Sequence, residues 1–379
     1  MKVGILTAKD ASNPRAWSGT HYYLSQSAER HIGPVTYFGP IRSYLLYALK
    51  ARERLVRHSL GRRELPSHSQ AVSRQYARVL EEQARSLDVD IALAPAGGGL
   101  IANLEIEQPI VYTSDATFDL VAEYYPEFSN LTRQARREGD AIERAAISRA
   151  DLILYPTQWA ADSAVDVYGA DPEKTFVLAY GPNFDNLPSS AEALAPRDPA
   201  KLRLLFVGVR WDIKGGPIAV DAFRALKRMG LSVELTIIGS DPGLQEDGIT
   251  IIPHLDKTDP VQAAQLSRVY LESDLLIVPT RAECYGIVFC EAAAHGVPSI
   301  TTATGGTVDV VREGISGHGL PHEEPGETYA ELIRELYSDE ERMAKLRQTS
   351  RKDYETRLNW DVWGQGARRL IETKLGVSG

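Results

Sequence analysis

Short apolar or β-branched runs recur along the chain, and between them apolar residues return every three or four positions. The runs are KVGIL (2–6), DIALAP (90–95), PIVYT (109–113), DLILYPT (151–157), TFVLAY (175–180), LRLLFVG (202–208), VELTIIG (233–239), DLLIVPT (274–280) and VPSITT (297–302). Runs of this length predict buried strands, and the helical period between them predicts crossover helices. The alternation therefore predicts parallel sheets of the α/β class. One stretch breaks it. LPSSAEALAPRDPAK (187–201) is rich in Pro, Ala and Ser, carries neither pattern, and reads as a linker. Each half then becomes a doubly wound domain whose ligands sit at the carboxyl ends of its strands, and two such edges facing each other would form one interdomain cleft.

Composition supports two domains and narrows the chemistry. A chain of 379 residues with 43% hydrophobic content can fill two sizeable cores. Its 42 Lys and Arg against 51 Asp and Glu leave a net charge of -9, which argues against a nucleic-acid partner. Cys284 and Cys290 are the only cysteines, and their spacing fits neither a small zinc site nor a secreted disulfide framework. They are expected as reduced core thiols. The opening MKVGILTAKD reads as a first strand, and no apolar run approaches spanning length, so the expectation is a cytoplasmic protein. Residues 42–63 depart from the acidic whole, with seven Lys and Arg against one Glu and with Leu45, Leu46, Leu49 and Val56 between them. Two readings stay open for this segment: a solvated face whose aliphatic residues pack inward, or an amphipathic helix in peripheral contact with an anionic membrane.

The most informative stretch is RAECYGIVFCEAAAHG (281–296). The preceding strand should end near Thr280, leaving Glu283 in a strand-to-helix loop. A helix should start near Gly286 and stop before Gly296-Val297-Pro298, favoured by Ala292, Ala293 and Ala294. Glu283 and Glu291 thus flank a helix N-terminus. The amides of Gly286, Ile287 and Val288, with the positive end of the helix dipole, suit a phosphate. Carboxylates suit hydroxyl groups instead. The ligand implied is a diphosphate with a hydroxylated ring on each side, a nucleotide sugar. The same spacing also fits a solvated loop acid followed by an exposed helical one. A second element, LLFVGVRWDIKGGPIAVDAFRAL (204–226), reads as a strand, a basic loop and a helix with Ala219, Phe223 and Leu226 on one face. Arg210 and Lys214 would stand above the strand ends, where fixed cations can neutralise a departing diphosphate.

These residues resemble the retaining glycosyltransferase family 4, the group 1 glycosyltransferases of the GT-B fold, and the likeness extends across nearly the whole chain. The resemblance implies two Rossmann-like domains facing an interdomain cleft: an acceptor-side domain over 1–188 with a returning C-terminal helix over 360–379, a nucleotide-sugar domain over 201–359, and a linker at 189–200. Glu283 and Glu291 match the family's E-x7-E signature. By that match Glu283 faces the transferred sugar, Glu291 binds ribose hydroxyls, amides from Gly286 to Val288 touch the phosphates, and Lys214 is the phosphate-binding lysine. TATGGTVDVVREG (302–314) resembles the family's second glycine loop, with Asp309 where glutamate is common. Val209 occupies the usual arginine position, so Arg210, one place later, takes that role in this reading. Ser18-Gly19 replaces a pair of glycines, with Gly19 as a donor contact. Asp115, in VYTSDATF (111–118), is the acceptor-side candidate, although a cap or turn role fits it equally. RLNWDVWGQGARRLIETKL (357–375) resembles the family's last helix, in which Trp360 and Trp363 would be structural.

The activity implied is retaining transfer of a hexose from a nucleotide-diphosphate sugar to an acceptor hydroxyl, with no metal and no cofactor. A nucleotide-sugar epimerase of the same architecture and a non-catalytic sugar-nucleotide-binding protein remain as alternatives. Asp88-Val89-Asp90 has the form of a metal-holding D-x-D, but it precedes a strand and so falls at the wrong edge of a parallel sheet. The histidines show no ligand spacing; His21 lies close to Gly19.

Overall fold

The computed structural model describes residues 1–86 and 88–377. Its strands fall into two six-stranded sheets, parallel throughout. The first contains β1 (Val3–Leu6), β2 (Val35–Phe38), β3 (Ile91–Pro95), β4 (Ile110–Thr113), β5 (Leu152–Tyr155) and β6 (Thr175–Val177), in the order β2-β1-β3-β4-β5-β6. The second contains β7 (Leu202–Val207), β8 (Val233–Ile238), β9 (Ile249–Ile252), β10 (Leu275–Val278), β11 (Ser299–Thr302) and β12 (Gly317–Leu320), in the order β12-β11-β10-β7-β8-β9. The nine runs read from the sequence correspond to the remaining strands, while β2, β9 and β12 were not among them. All three are sheet edges. An edge strand is covered less and needs no continuous apolar run: β2 is mostly half-exposed, and β12 is GHGL.

The chain divides into two units, Met1–Ala179 with the chain from Trp360 onward, and Tyr180–Asn359. In the second unit Leu204, Leu205, Phe206 and Leu275 through Val278 are essentially inaccessible, as are Ala219, Phe223 and Leu226 on the helix Gly216–Arg228. The returning helix Trp360–Leu370 belongs to the first unit. It packs on the helix Thr20–His31: the Ser27 hydroxyl donates to the Trp360 carbonyl, and His31 Nε2 meets Asp361 Oδ1 at 2.7 Å. Trp363 is wholly buried, its ring 5.9 Å from that of Trp360.

The expected linker is a correction. Residues 180–200 belong to the second unit. Within them Ser189 and Glu192 form a reciprocal capping box on a short helix, Ser190–Ala193. The carbonyls of Ala193 and Ala195 accept from Arg347 at 3.1 and 3.0 Å, and half-buried Arg197 donates to the Leu271 carbonyl at 3.2 Å. Pro, Ala and Ser here spell a capped turn held by arginines distant in sequence, a role that composition does not separate from a linker.

Asp88 and Asp90 lie before β3, where the Lys2 ammonium pairs with Asp88 and the Lys2 amide donates to Asp90 Oδ2 at 2.6 Å. They tie the amino edge of the sheet. Both cysteines are buried, and neither is in a disulfide. Among the described residues no helix is long and apolar enough to cross a membrane.

Candidate functional site

In the second sheet the strand order reverses between β7 and β10, which pair directly through Leu204 and Leu275. Loops at the carboxyl ends of two such strands diverge and leave a crevice, the usual ligand position in an open α/β sheet. The loops here are residues 208–215 and 279–286, and backbone contacts hold them together. The Arg281 amide donates to the Ile213 carbonyl at 2.7 Å, and the Thr280 hydroxyl donates to the same carbonyl at 3.0 Å. Gly215 has φ 72, and a Cβ there would stand 1.9 Å from the Pro279 carbonyl oxygen. Glycine is required on both counts. Trp211 stacks edge-on against Phe206 at 5.2 Å and fixes the base of the first loop.

This locked pair of loops delivers Lys214 to Glu283. Their side chains form an ion pair in which Lys214 is 21% and Glu283 10% exposed. Gly286 (φ 89) caps the helix Ile287–Ala294, and a Cβ there would press to 2.5 Å from the Phe289 ring. The second glycine loop reaches the same place: the Gly306 amide donates to the Glu283 carbonyl at 3.1 Å. Arg210 is exposed at the outer part of its loop, where its carbonyl accepts from the Lys214 amide at 2.8 Å.

Glu291 is not an exposed helical acid. Its side chain is 2% exposed and pairs with Lys257, while the Tyr270 hydroxyl donates to Oε2 at 3.2 Å. Lys257 also lies 5.1 Å from the centre of the Phe184 ring. Tyr270 is stacked on His295 at 4.9 Å. The His295 Nδ1 meets the Glu291 carbonyl at 2.7 Å, so that nitrogen donates, and its Nε2 meets the Ser267 hydroxyl at 2.9 Å. Burial pushes His295 down to about 4, which leaves a neutral ring with Nε2 accepting. Sequence reasoning missed Lys257, Tyr270 and His295 as partners of this acid. His295 follows it by only four residues, but Tyr270 and Lys257 are 21 and 34 residues upstream, beyond any periodic signal.

The structure thus gathers Lys214, Glu283, Gly286, Ile287, Val288 and Glu291 in the second unit, and places Gly19 and Asp115 in the first. There the order reverses between β1 and β3. The loop after β1 ends in three left-handed residues, Trp17 (φ 48), Ser18 (φ 55) and Gly19 (φ 92), a costly conformation for the first two. His21 follows, buried, its ring 4.9 Å from Trp17, and burial pushes it down to about 4. Asp115 is half-buried, two residues beyond β4. In the same unit Glu143 is buried against Tyr112, whose hydroxyl donates to Oε1 at 3.2 Å; burial pushes this carboxyl up to about 7. Among the described residues no group of three or more His, Cys, Asp or Glu is placed to hold a metal ion.

Comparison with known proteins bears on the family and the fold. Residues 201–339 match the family model "Glycosyl transferases group 1". D-inositol 3-phosphate glycosyltransferase 1 of Catenulispora acidiphila is 30% identical over 239 residues, covering 55% of this chain and 54% of that protein. The D-inositol 3-phosphate glycosyltransferase of Segniliparus rotundus is 29% identical, covering 59% and 52%. The chain spans about half the length of the curated relatives it matches. Among solved structures, sucrose-phosphate synthase of Thermosynechococcus elongatus superposes over 100% of both chains with a TM-score of 0.68 at 15% identity. Anabaena HepE, solved with UDP and glucose, covers 98% of this chain and 99% of its own, with a TM-score of 0.62 at 16% identity. At such identity the likeness is one of fold, and the two-sheet architecture expected of GT-B is the architecture of this chain.

Proposed function

We propose that this chain, whose residues 201–339 match the family model of the group 1 glycosyl transferases, is a retaining glycosyltransferase that moves a hexose from a nucleotide-diphosphate sugar to an acceptor hydroxyl without a metal or cofactor. One observation carries the reading: Lys214 and Glu283 are paired beside the N-terminus of the helix Ile287–Ala294, at the reversal point of the second sheet. In this reading the diphosphate lies against the amides of Gly286 to Val288, and Lys214 turns from Glu283 to the phosphate, with Arg210 adding positive charge. Glu283 is then released to the hydroxyls of the transferred sugar, and Glu291 receives those of the ribose. Asp115 is assigned to the acceptor.

The bond between the anomeric carbon and the phosphate oxygen breaks with its electron pair going to phosphate. The acceptor oxygen bonds to the same face of that carbon. Its proton passes to a phosphate oxygen of the leaving group. Lys214 and the helix amides stabilise the charge that develops, so they act more strongly in the transition state than on the bound donor. Sugar carbocation character is favoured by the same charge separation.

The test is to incubate the purified chain with UDP-, GDP- and ADP-sugars and assay released nucleotide, with and without hydroxylated acceptors. Acceptor-dependent release with retained configuration, unchanged by a chelator, is the expected result. Isomerised donor would point to an epimerase, and binding without turnover to a non-catalytic module. Loss of transfer on chelation would refute the metal-free step.

A further inference from the structure

The helix Tyr44–Leu60 of the first unit is firmly bounded. Ser43 caps its start, accepting from the Leu46 amide at 3.0 Å, and Gly61 ends it at φ 62. Yet none of its residues is buried. Leu45, Leu46 and Leu49 turn toward the core of the unit, so the leucines offered by the sequence for a lipid face are used for packing. A different apolar set points outward. Tyr44, Tyr47, Ala48, Ala51 and Leu55 follow one another at helical spacing on a single stripe, and all five are exposed. Tyr44 is 84%, Tyr47 65% and Leu55 71% exposed. The outward face of a helix on a globular protein is ordinarily polar.

The charges sit where they would frame that stripe. At 100° per residue Arg52 falls on one flank and Arg54 on the other, with Lys50 and Arg57 beyond Arg54. The single acid of the helix, Glu53, is on the inward side, 15% exposed and 3.7 Å from Arg57. Glu64 faces the helix at Arg52, 2.5 Å away, and is also only 15% exposed. The outward face therefore combines apolar side chains with cations and carries no acid.

We propose that this helix docks the chain on an anionic lipid surface, the stripe entering the interfacial layer and the flanking cations meeting headgroup phosphates. A soluble polyanion would satisfy the arginines but leave Tyr44, Tyr47 and Leu55 in water. A second copy of the chain would bury the stripe but bring two rows of like charge together. A lipid surface answers both features, and tyrosine suits its polar–apolar boundary. The inference is independent of the transfer reaction.

The test is co-sedimentation of the full chain with vesicles of phosphatidylcholine alone or with about 30% phosphatidylglycerol, a composition that gives a negative surface potential. Binding to the anionic vesicles is expected to be at least about tenfold tighter, and to weaken with added salt. Tyr44→Ser/Tyr47→Ser/Leu55→Ser and, separately, Lys50→Glu/Arg54→Glu should each reduce it about tenfold or more while melting temperature holds. No preference for anionic vesicles, or binding that both variants retain, overturns the proposal. So does a concentration-dependent dimer, seen by sedimentation velocity, that the triple serine variant abolishes.

Discussion

The two units bury acids in opposite ways. In the second, Glu283 meets Lys214 and Glu291 meets Lys257, so each carboxylate is neutralised by an ammonium group while keeping lone pairs for another donor. In the first, Glu143 receives the Tyr112 hydroxyl and the Phe118 amide, and burial drives its carboxyl up to about 7. A buried acid held by neutral donors is tuned to keep its proton, whereas one held by a lysine can exchange that cation for a ligand. The contrast separates an acid that serves the core from a pair poised for polar chemistry.

The largest expected effect tests the paired side. Lys214→Ala should lower kcat/KM for transfer by about 10²–10³-fold, since it removes a cation from the leaving phosphate. A loss below about tenfold would take Lys214 out of the mechanism. On the other side, Glu143 titrates near 7 when folded against 4.5 as its ordinary value. Its contribution is therefore whole below about pH 4.5 and is lost as pH rises through 7, about 3 kcal/mol in all. Glu143→Gln should remove that fall, and urea unfolding at pH 5 and pH 8 measures it; an unaltered pH dependence would mean that another group is responsible.

Tyr270→Phe, which takes one donor from Glu291, should weaken nucleoside diphosphate binding about tenfold by calorimetry and leave kcat nearly unchanged. If affinity does not move, Glu291 does not use that oxygen for the donor. Smallest is Ser189→Ala. As part of the second unit its cap is worth about 1 kcal/mol of unfolding free energy. A segment that merely linked two domains would show no change.

Much of this was legible in the chain because it depends on local rules. Buried parallel strands need continuous apolar runs, and all eight inner strands announced themselves, with β6 at one edge. The helix start at Gly286 and the acids eight residues apart were equally plain. Glu283 and Lys214 were named individually, but their pairing spans 69 residues and leaves no periodic trace. The other three edge strands, β2, β9 and β12, escaped for lack of a required pattern. The segment 189–200 was misread because its anchors, Arg347 and the Leu271 carbonyl, lie far along the chain.

The basic helix shows the same limit. Its charge and amphipathic character were visible in residues 42–63, but which apolar residues face inward depended on where the first sheet's core lies. The sequence by itself determined the α/β class, the two sheets, the glycine-capped helix and the identity of the acids and cations, because backbone geometry and solvent exclusion act on neighbouring residues. Tertiary structure alone decided that Lys214 reaches Glu283, that Lys257 and Tyr270 hold Glu291, and that Glu143 meets the neutral donors of Tyr112 and Phe118. Electrostatic pairing depends on distance and burial, and chain closure sets both.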